Sequence, residues 1–232
     1  FSRNKIMSSS SKVKYDDLIE FEPITENQKK ACSLWDDGEN LVLTGSAGTG
    51  KTYLAMALAM ETVLERSGSY DQVIIVRSVV PVREIGFLPG KLEEKTAVFE
   101  APYKAICTEL FEDKAAWQKL TNAKQVTFET TSFIRGQTMN RAVIIVDEMQ
   151  NLNFHELDSV MTRIGENCKI IFAGDYLQSD FERESDKLGI MKFLNIVERM
   201  THFSTIQFGW DDIVRSGIVR DYIMTKEMMG LK

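Results

Sequence analysis

The sequence is poor in the residues that staple small proteins or hold soft metals. Its three cysteines, Cys32, Cys107 and Cys168, are far apart without pair spacing, and its two histidines are His155 and His202. This excludes a recognisable disulfide framework or zinc motif and points to a reducing compartment. No run approaches the roughly 18 uninterrupted apolar residues of a membrane-spanning helix. The opening FSRNKIMSSSSK also lacks the apolar stretch of a signal peptide, so a cytoplasmic protein without membrane contact is expected. Positive charge is not in excess either: 28 Lys plus Arg stand against 34 Asp plus Glu, for a net charge of −6. A wholly basic nucleic-acid coat is excluded, whereas local basic surfaces remain open.

What is present suits one large domain. With 232 residues the chain can bury about 70% of the surface its unfolded form exposes, without staples. Residues 1–17, with the Ser8 to Ser11 run and scattered lysines, carry too little apolar surface to offset chain entropy and are expected to form a flexible tail. Residues 18–232 are expected to form the domain. Strands are predicted at 41–44, 72–77, 125–129, 142–146, 169–173 and 203–208, most of them continuously apolar, as strands buried on both faces are. Helices are predicted between them at 26–35, 51–66, 91–112, 154–164, 187–200 and 211–224. This alternation predicts a doubly wound, mostly parallel sheet with helices on both faces. Right-handed crossovers gather the strand ends and their loops on one edge, where ligands of such folds bind.

The strongest motif lies at such an end. GSAGTGKT, Gly45 to Thr52, follows the strand LVLT and precedes the helical run YLAMALAMETVL, the context that G-x-x-x-x-G-K-[ST] requires. Glycines let the chain wrap a phosphate, so that successive N–H groups from Gly45, Ser46, Ala47, Gly48, Thr49 and Gly50 and the helix start point at its oxygens. Lys51 is predicted to reach the β and γ phosphates, and the Thr52 hydroxyl to ligate Mg²⁺. The strand AVIIV then ends in Asp147 and Glu148. Asp147 is placed to hold the Mg²⁺ hydration shell and Glu148 to activate the attacking water. Taken alone, two carboxylates at a strand end are better read as solvating that end and capping the helix that follows; the phosphate loop turns the reading to the metal and base roles. The next strand ends in AGDYLQ, where Gln178 is either a contact to the γ-phosphate and lytic water or a surface residue in a turn.

These segments together with IVRSVVPVREIGFLPGKLEEKTAVFEAPY, FIRGQTMNRAVIIVDEMQN, FAGDYLQSDF and DDIVRSGIV resemble the PhoH family of P-loop ATPases over about Ile24 to Tyr222. The compact size is more similar to phage-encoded members than to fusions with a PIN nuclease domain. The resemblance implies a RecA-like ATPase core similar to the first motor domain of superfamily-one helicases, using ATP and Mg²⁺. It also implies homo-oligomers, a hexameric ring among them, and links to RNA metabolism or phosphate starvation. In that setting Gln28 of TENQKK resembles a glutamine that reads adenine, although Thr25 and Gln28 also satisfy a T-x-x-Q capping box. No N-K-x-D element follows an apolar strand, so ATP is favoured over GTP.

Helicase motors close nucleotide between two such domains, and this chain has one phosphate loop. Any arginine help must therefore come from elsewhere in the domain or from another subunit. Arg215, matching the family's D-[IV]-V-R segment, is the first candidate for a finger reaching across a subunit boundary, and Arg183 the second. Either could instead be an ion-paired surface arginine. In the loop from Arg77 to Gly90, Arg77 and Arg83 with Phe87 are candidates for a single-stranded RNA or DNA contact, with packing the alternative for Phe87 and Leu88. The expected function is Mg²⁺-dependent ATP hydrolysis coupled to single-stranded nucleic acid. The rivals are a nucleotide-gated scaffold and a small-molecule phosphotransferase.

Overall fold

Six strands built from these apolar runs pair side by side in the computed structural model, which describes residues 12–65, 68–78, 92–131, 134, 136, 138–175 and 184–230. They are β1 (Asn40–Gly45), β2 (Gln72–Arg77), β3 (Val126–Thr130), β4 (Ala142–Val146), β5 (Cys168–Ala173) and β6 (Phe203–Phe208). Their order is β3-β2-β4-β5-β1-β6, and every pairing is parallel. Strand β5 lies between the phosphate-loop strand β1 and the acidic strand β4, the RecA-like arrangement.

Strict alternation along each strand divides the core into two layers. On one face Leu41, Leu43, Val143, Ile145 and Ile171 pack with α1 (Glu26–Asp36), α2 (Lys51–Leu64), α3 (Leu92–Phe111) and α4 (Ala116–Asn122). On the other, Val42, Ile144, Val146, Ile170 and Phe172 pack with α5 (Phe154–Met161) and α6 (Glu184–Val197). Helix α2 is buried continuously from Leu54 to Met60, because it lies between the sheet and neighbouring helices. Local signals fix the helix starts. Thr25 Oγ1 accepts from the Gln28 N–H at 3.3 Å, and Asn153 and Glu156 form a reciprocal box at the start of α5.

Three expectations change. Residues 12–17 do not belong to a tail. Val13 is buried, and its N–H and C=O bond to the Gln125 carboxamide at 3.0 and 2.9 Å, a side chain acting as a strand partner. Residues 1–11 lie outside the described residues. The predicted helix 91–112 is followed by α4, which has Ala115 at its N-cap with no side-chain cap bond, and so carried no start signal. The predicted helix 211–224 is instead a 3₁₀ turn at Trp210–Asp212, an irregular stretch and then α7 (Gly217–Met228). The turn is pinned by Asp212, whose carboxylate accepts from the Gly209 N–H at 2.9 Å and from Asn27 Nδ2 at 2.7 Å. Arg215 therefore lies before α7, not on a helix.

Candidate nucleotide site

The phosphate loop runs from the end of β1 to the start of α2, and its glycines are required by backbone geometry. Gly45, Gly48 and Gly50 have φ of 115°, 73° and 79°. At Gly45 a Cβ would fall 1.9 Å from the Phe208 carbonyl oxygen, so the loop leaves β1 directly against the end of β6. Lys51 folds into the loop. Its ammonium donates to the Gly45 carbonyl at 2.8 Å, the Ser46 carbonyl at 2.7 Å and Thr49 Oγ1 at 3.2 Å. Burial pulls the Lys51 pKa down, against Asp175, Glu148, Asp147 and Glu227, whose charges hold it up. Three of those carboxylates follow the ends of β4 and β5, and the fourth, Glu227, comes from α7.

The acidic pair meets the loop directly. Asp147, 4% exposed, accepts from Thr52 Oγ1 at 2.9 Å through one carboxylate oxygen and from the Tyr103 hydroxyl at 2.7 Å through the other. Glu148 has φ of 52°, unusual for a residue with a side chain. This left-handed turn sends the chain into the 3₁₀ turn at Met149–Asn151. Burial, then the neighbouring Asp147 charge, push the Glu148 pKa up, while Arg77, Gln150 and Lys51 pull it back. Arg77 lies at the end of β2, with its guanidinium over the Phe99 ring at 5.7 Å and beside the Tyr103 hydroxyl. The residue expected at a nucleic-acid surface thus faces the acidic pair.

Gln28 is 4% exposed and sits beneath the loop. Its Oε1 accepts from the Ile24 N–H at 2.9 Å and its Nε2 donates to the Thr49 carbonyl at 3.4 Å. Only half of the expected capping box forms, because the glutamine reaches back to Ile24 rather than to Thr25. The loop is covered from the C-terminal side. The Val214 N–H donates to the Gly48 carbonyl at 3.1 Å, and a Cβ on Gly48 would meet Arg215 Cγ at 2.9 Å and Ile223 Cδ1 at 3.1 Å. Glu227 of α7 accepts from Ser46 Oγ at 3.0 Å and Trp210 Nε1 at 2.6 Å. Arg215 thus lies on its own chain's loop.

Gln178, Arg83, Phe87, Leu88 and Arg183 lie outside the described residues. Four residues of the site escaped the sequence reading: Tyr103, Gln150, Asp175 and Glu227. Gln150 and Asp175 lie inside the motif segments VDEMQN and AGDYLQ, so a signal existed. Tyr103 sits in FEAPY, a segment that marks no chemistry by itself, and nothing in the local sequence distinguishes Glu227.

Oxygen donors suit a hard cation. Thr52 Oγ1 and the Asp147 carboxylate stand within hydrogen-bond distance of each other, and Mg²⁺ takes one or two protein oxygens with phosphates and waters completing its octahedron. Among the described residues no group of three or more His, Cys, Asp or Glu is placed to hold a metal by itself, so the donor set fits a metal delivered with phosphates rather than an all-protein cage.

The family description "PhoH-like protein" matches residues 20–227. The chain belongs to the PhoH family. A "PhoH-like protein" of Mycobacterium leprae is 30% identical over 203 residues, 87% of this chain and 57% of the relative. Protein PhoH of Escherichia coli K12 is 32% identical over 177 residues, 75% and 49%, and Protein PhoH2 of Bacillus subtilis is 37% identical over 151 residues, 63% and 34%. The chain spans about half the length of the curated relatives it matches. Among solved structures, Bacteroides Pif1 bound to ssDNA aligns over 91% of this chain and 48% of that one, at 14% identity and a TM-score of 0.41. Pif1 helicase from Candida albicans aligns over 81% and 40%, at 16% identity and a TM-score of 0.36. The PhoH-family sequence and the RecA-like sheet make this a P-loop NTPase domain. No described helix is long and apolar enough to cross a membrane.

Proposed function

We propose that this PhoH-family domain hydrolyses ATP with Mg²⁺ and couples the reaction to single-stranded RNA or DNA. The observation that carries the reading is the 2.9 Å contact between Thr52 Oγ1 and Asp147, with Glu148 as the next residue. It joins a loop built for phosphate to a carboxylate built for a metal, and sets a half-buried potential base beside both. When bound, Mg²⁺ would supply positive charge against the negative charge that develops on the transferred phosphoryl group. Lys51 stabilises the same charge from inside the loop, exchanging its contacts with loop carbonyls for phosphate oxygens. Thr52 and Asp147 would hold the ion through oxygen. Glu148 takes the proton of the attacking water, a role that its upward-shifted pKa serves by making the carboxylate more basic. Gln178 reports the γ-phosphate to the segment beyond β5.

Gln28, hydrogen-bonded to Thr49 of the loop, is the candidate for adenine contact. Arg215 is the candidate arginine. Its stem over Gly48 supports service to its own chain's nucleotide, in place of the reach across a subunit boundary that the sequence suggested. A homo-oligomer, with a hexameric ring as one form, belongs to the same reading; the exposed Ile218 and Tyr222 of α7 supply apolar surface for such a contact. Nucleic-acid contact by Arg83, with Arg77 linking that loop to the acidic pair, remains part of the proposal.

The test is phosphate release from ATP and Mg²⁺ by the wild type and Glu148→Gln, with and without single-stranded RNA or DNA. Release lost in the variant and raised by one polymer is the expected result. Release that is unaffected by E148Q would overturn the base assignment, and release indifferent to both polymers would overturn the coupling. ATP binding without any release would move the reading to an acceptor-dependent phosphotransferase.

A further inference from the structure

The Asp147 carboxylate has two oxygens and two different partners, and only one of them belongs to the phosphate loop. Thr52 holds the first oxygen; the second is held by Tyr103, which comes from the middle of α3. Tyr103 is completely buried, and Asp147 nearly so. An ionised carboxylate can only accept, so the phenol must be the donor.

The ring has little freedom to turn away. It stacks on Trp117 of α4 at 6.4 Å and 22° and tilts against Phe128 of β3 at 5.7 Å. Trp117 is itself tied back to α3 by its indole N–H, which donates to Glu100 at 3.2 Å. Two helices and a strand thus aim one hydroxyl at one carboxylate oxygen. A tyrosine needed only to fill the core could satisfy its hydroxyl on a backbone carbonyl, without meeting the charge that a cation would meet.

We propose that Tyr103 is a positioning residue: it fixes the Asp147 carboxylate so that one oxygen stays with Thr52 for the metal, and it ties α3 to the metal site. This rests on the nucleotide–metal reading of the site given above. It goes beyond that reading by assigning control of metal affinity to a helix outside the phosphate-loop and acidic motifs. Outer partners that orient a metal ligand typically contribute about 10- to 100-fold in metal affinity.

The test compares wild type, Tyr103→Phe, Tyr103 replaced by 4-aminophenylalanine, and Trp117→Phe. Mn²⁺ binding to the ADP-bound protein is followed by electron paramagnetic resonance, and ADP binding in EDTA by calorimetry. The expected result for Y103F is a Mn²⁺ dissociation constant raised roughly tenfold or more, with ADP affinity in EDTA unchanged. The 4-aminophenylalanine protein, which keeps a donor at the same place, should bind Mn²⁺ like the wild type. W117F, which loosens one wall of the ring's seat but leaves the hydroxyl, should weaken Mn²⁺ binding less than Y103F does. A Y103F protein with wild-type Mn²⁺ affinity would overturn the proposal. So would Y103F failing to fold while the amino variant folds, since the hydroxyl would then serve stability alone. A wild type that binds Mn²⁺ with ADP but hydrolyses no ATP would overturn the hydrolase reading while the Mn²⁺ comparison still decides the role of Tyr103. Mn²⁺ that adds nothing to ADP binding by the wild type would overturn both.

Discussion

Gln150 holds Glu148 from the side: its Nε2 donates to the Glu148 carboxylate at 2.5 Å, while its Oε1 accepts from the Asp175 N–H at 3.0 Å. One carboxamide therefore connects the mouth of β4 with the mouth of β5. The fit is close, because a Cβ on Gly174 would fall 2.2 Å from Gln150 Oε1. Gln150→Ala removes the restraint on the proposed base. Turnover should fall about tenfold, the effect of a lost hydrogen bond worth about 1.4 kcal/mol in the transition state. The Michaelis constant for ATP should change little. Steady-state kinetics of Q150A check this, and an unchanged kcat would remove Gln150 from the mechanism.

The pH response of Glu148 can be stated with its sign. Its folded pKa is raised, chiefly by burial and then by Asp147, so the ionised side chain weighs against folding. That cost is present above the folded pKa and disappears as pH falls through it towards the unfolded value. Glu148→Gln should therefore melt higher than wild type at pH 8, by on the order of 2–4 °C for about 1 kcal/mol, and the gap should close in mild acid. Melting curves across pH test this; a wild type that melts above E148Q at pH 8 would contradict it.

Glu227 adds a negative charge near Lys51 at a site proposed for phosphates. Glu227→Gln keeps an acceptor for Ser46 and Trp210 but removes that charge. ADP binding should tighten by up to about fivefold at low salt, the equivalent of about 1 kcal/mol of repulsion. The gain should shrink as salt screens it. Titrations at two ionic strengths decide, and weaker binding in E227Q would show that the carboxylate supports the loop.

Two glycines with positive φ should respond differently to a methyl group. Gly38 has φ of 92° and open space around the added Cβ, so Gly38→Ala should cost about 1 kcal/mol of backbone strain. Gly45 has the same kind of strain and also the Phe208 carbonyl in the way. Gly45→Ala should cost upwards of about 2 kcal/mol and separate the ends of β1 and β6. Urea unfolding of both variants is the check, and equal losses would remove the steric argument.

The sheet was largely legible because each strand carries its own signal. AVIIV at β4 and IIFA within β5 are apolar on both faces, and that pattern suits a strand covered by helices on either side. The phosphate loop and acidic pair were legible for a related reason: their chemistry depends on consecutive residues. Contacts across the fold were not. Tyr103 reaches Asp147 from another helix, and Glu227 reaches Ser46 from the far end of the sequence. Periodicity also could not show that Asp212 would pin a 3₁₀ turn through Asn27 of α1, which moved Arg215 off its expected helix. Val13 was misplaced for the same reason, since its partner Gln125 lies far along the chain.

The cover over Gly48 gives the order of synthesis a consequence. The loop emerges from the ribosome early, whereas Val214, Ile223 and Glu227, which close on it, emerge near the end of the domain. A growing chain can lay down α2 beside β1 while the loop's outer side is still bare. The candidate site is therefore completed only when α7 docks, which makes this helix a checkpoint between a folded sheet and a finished site.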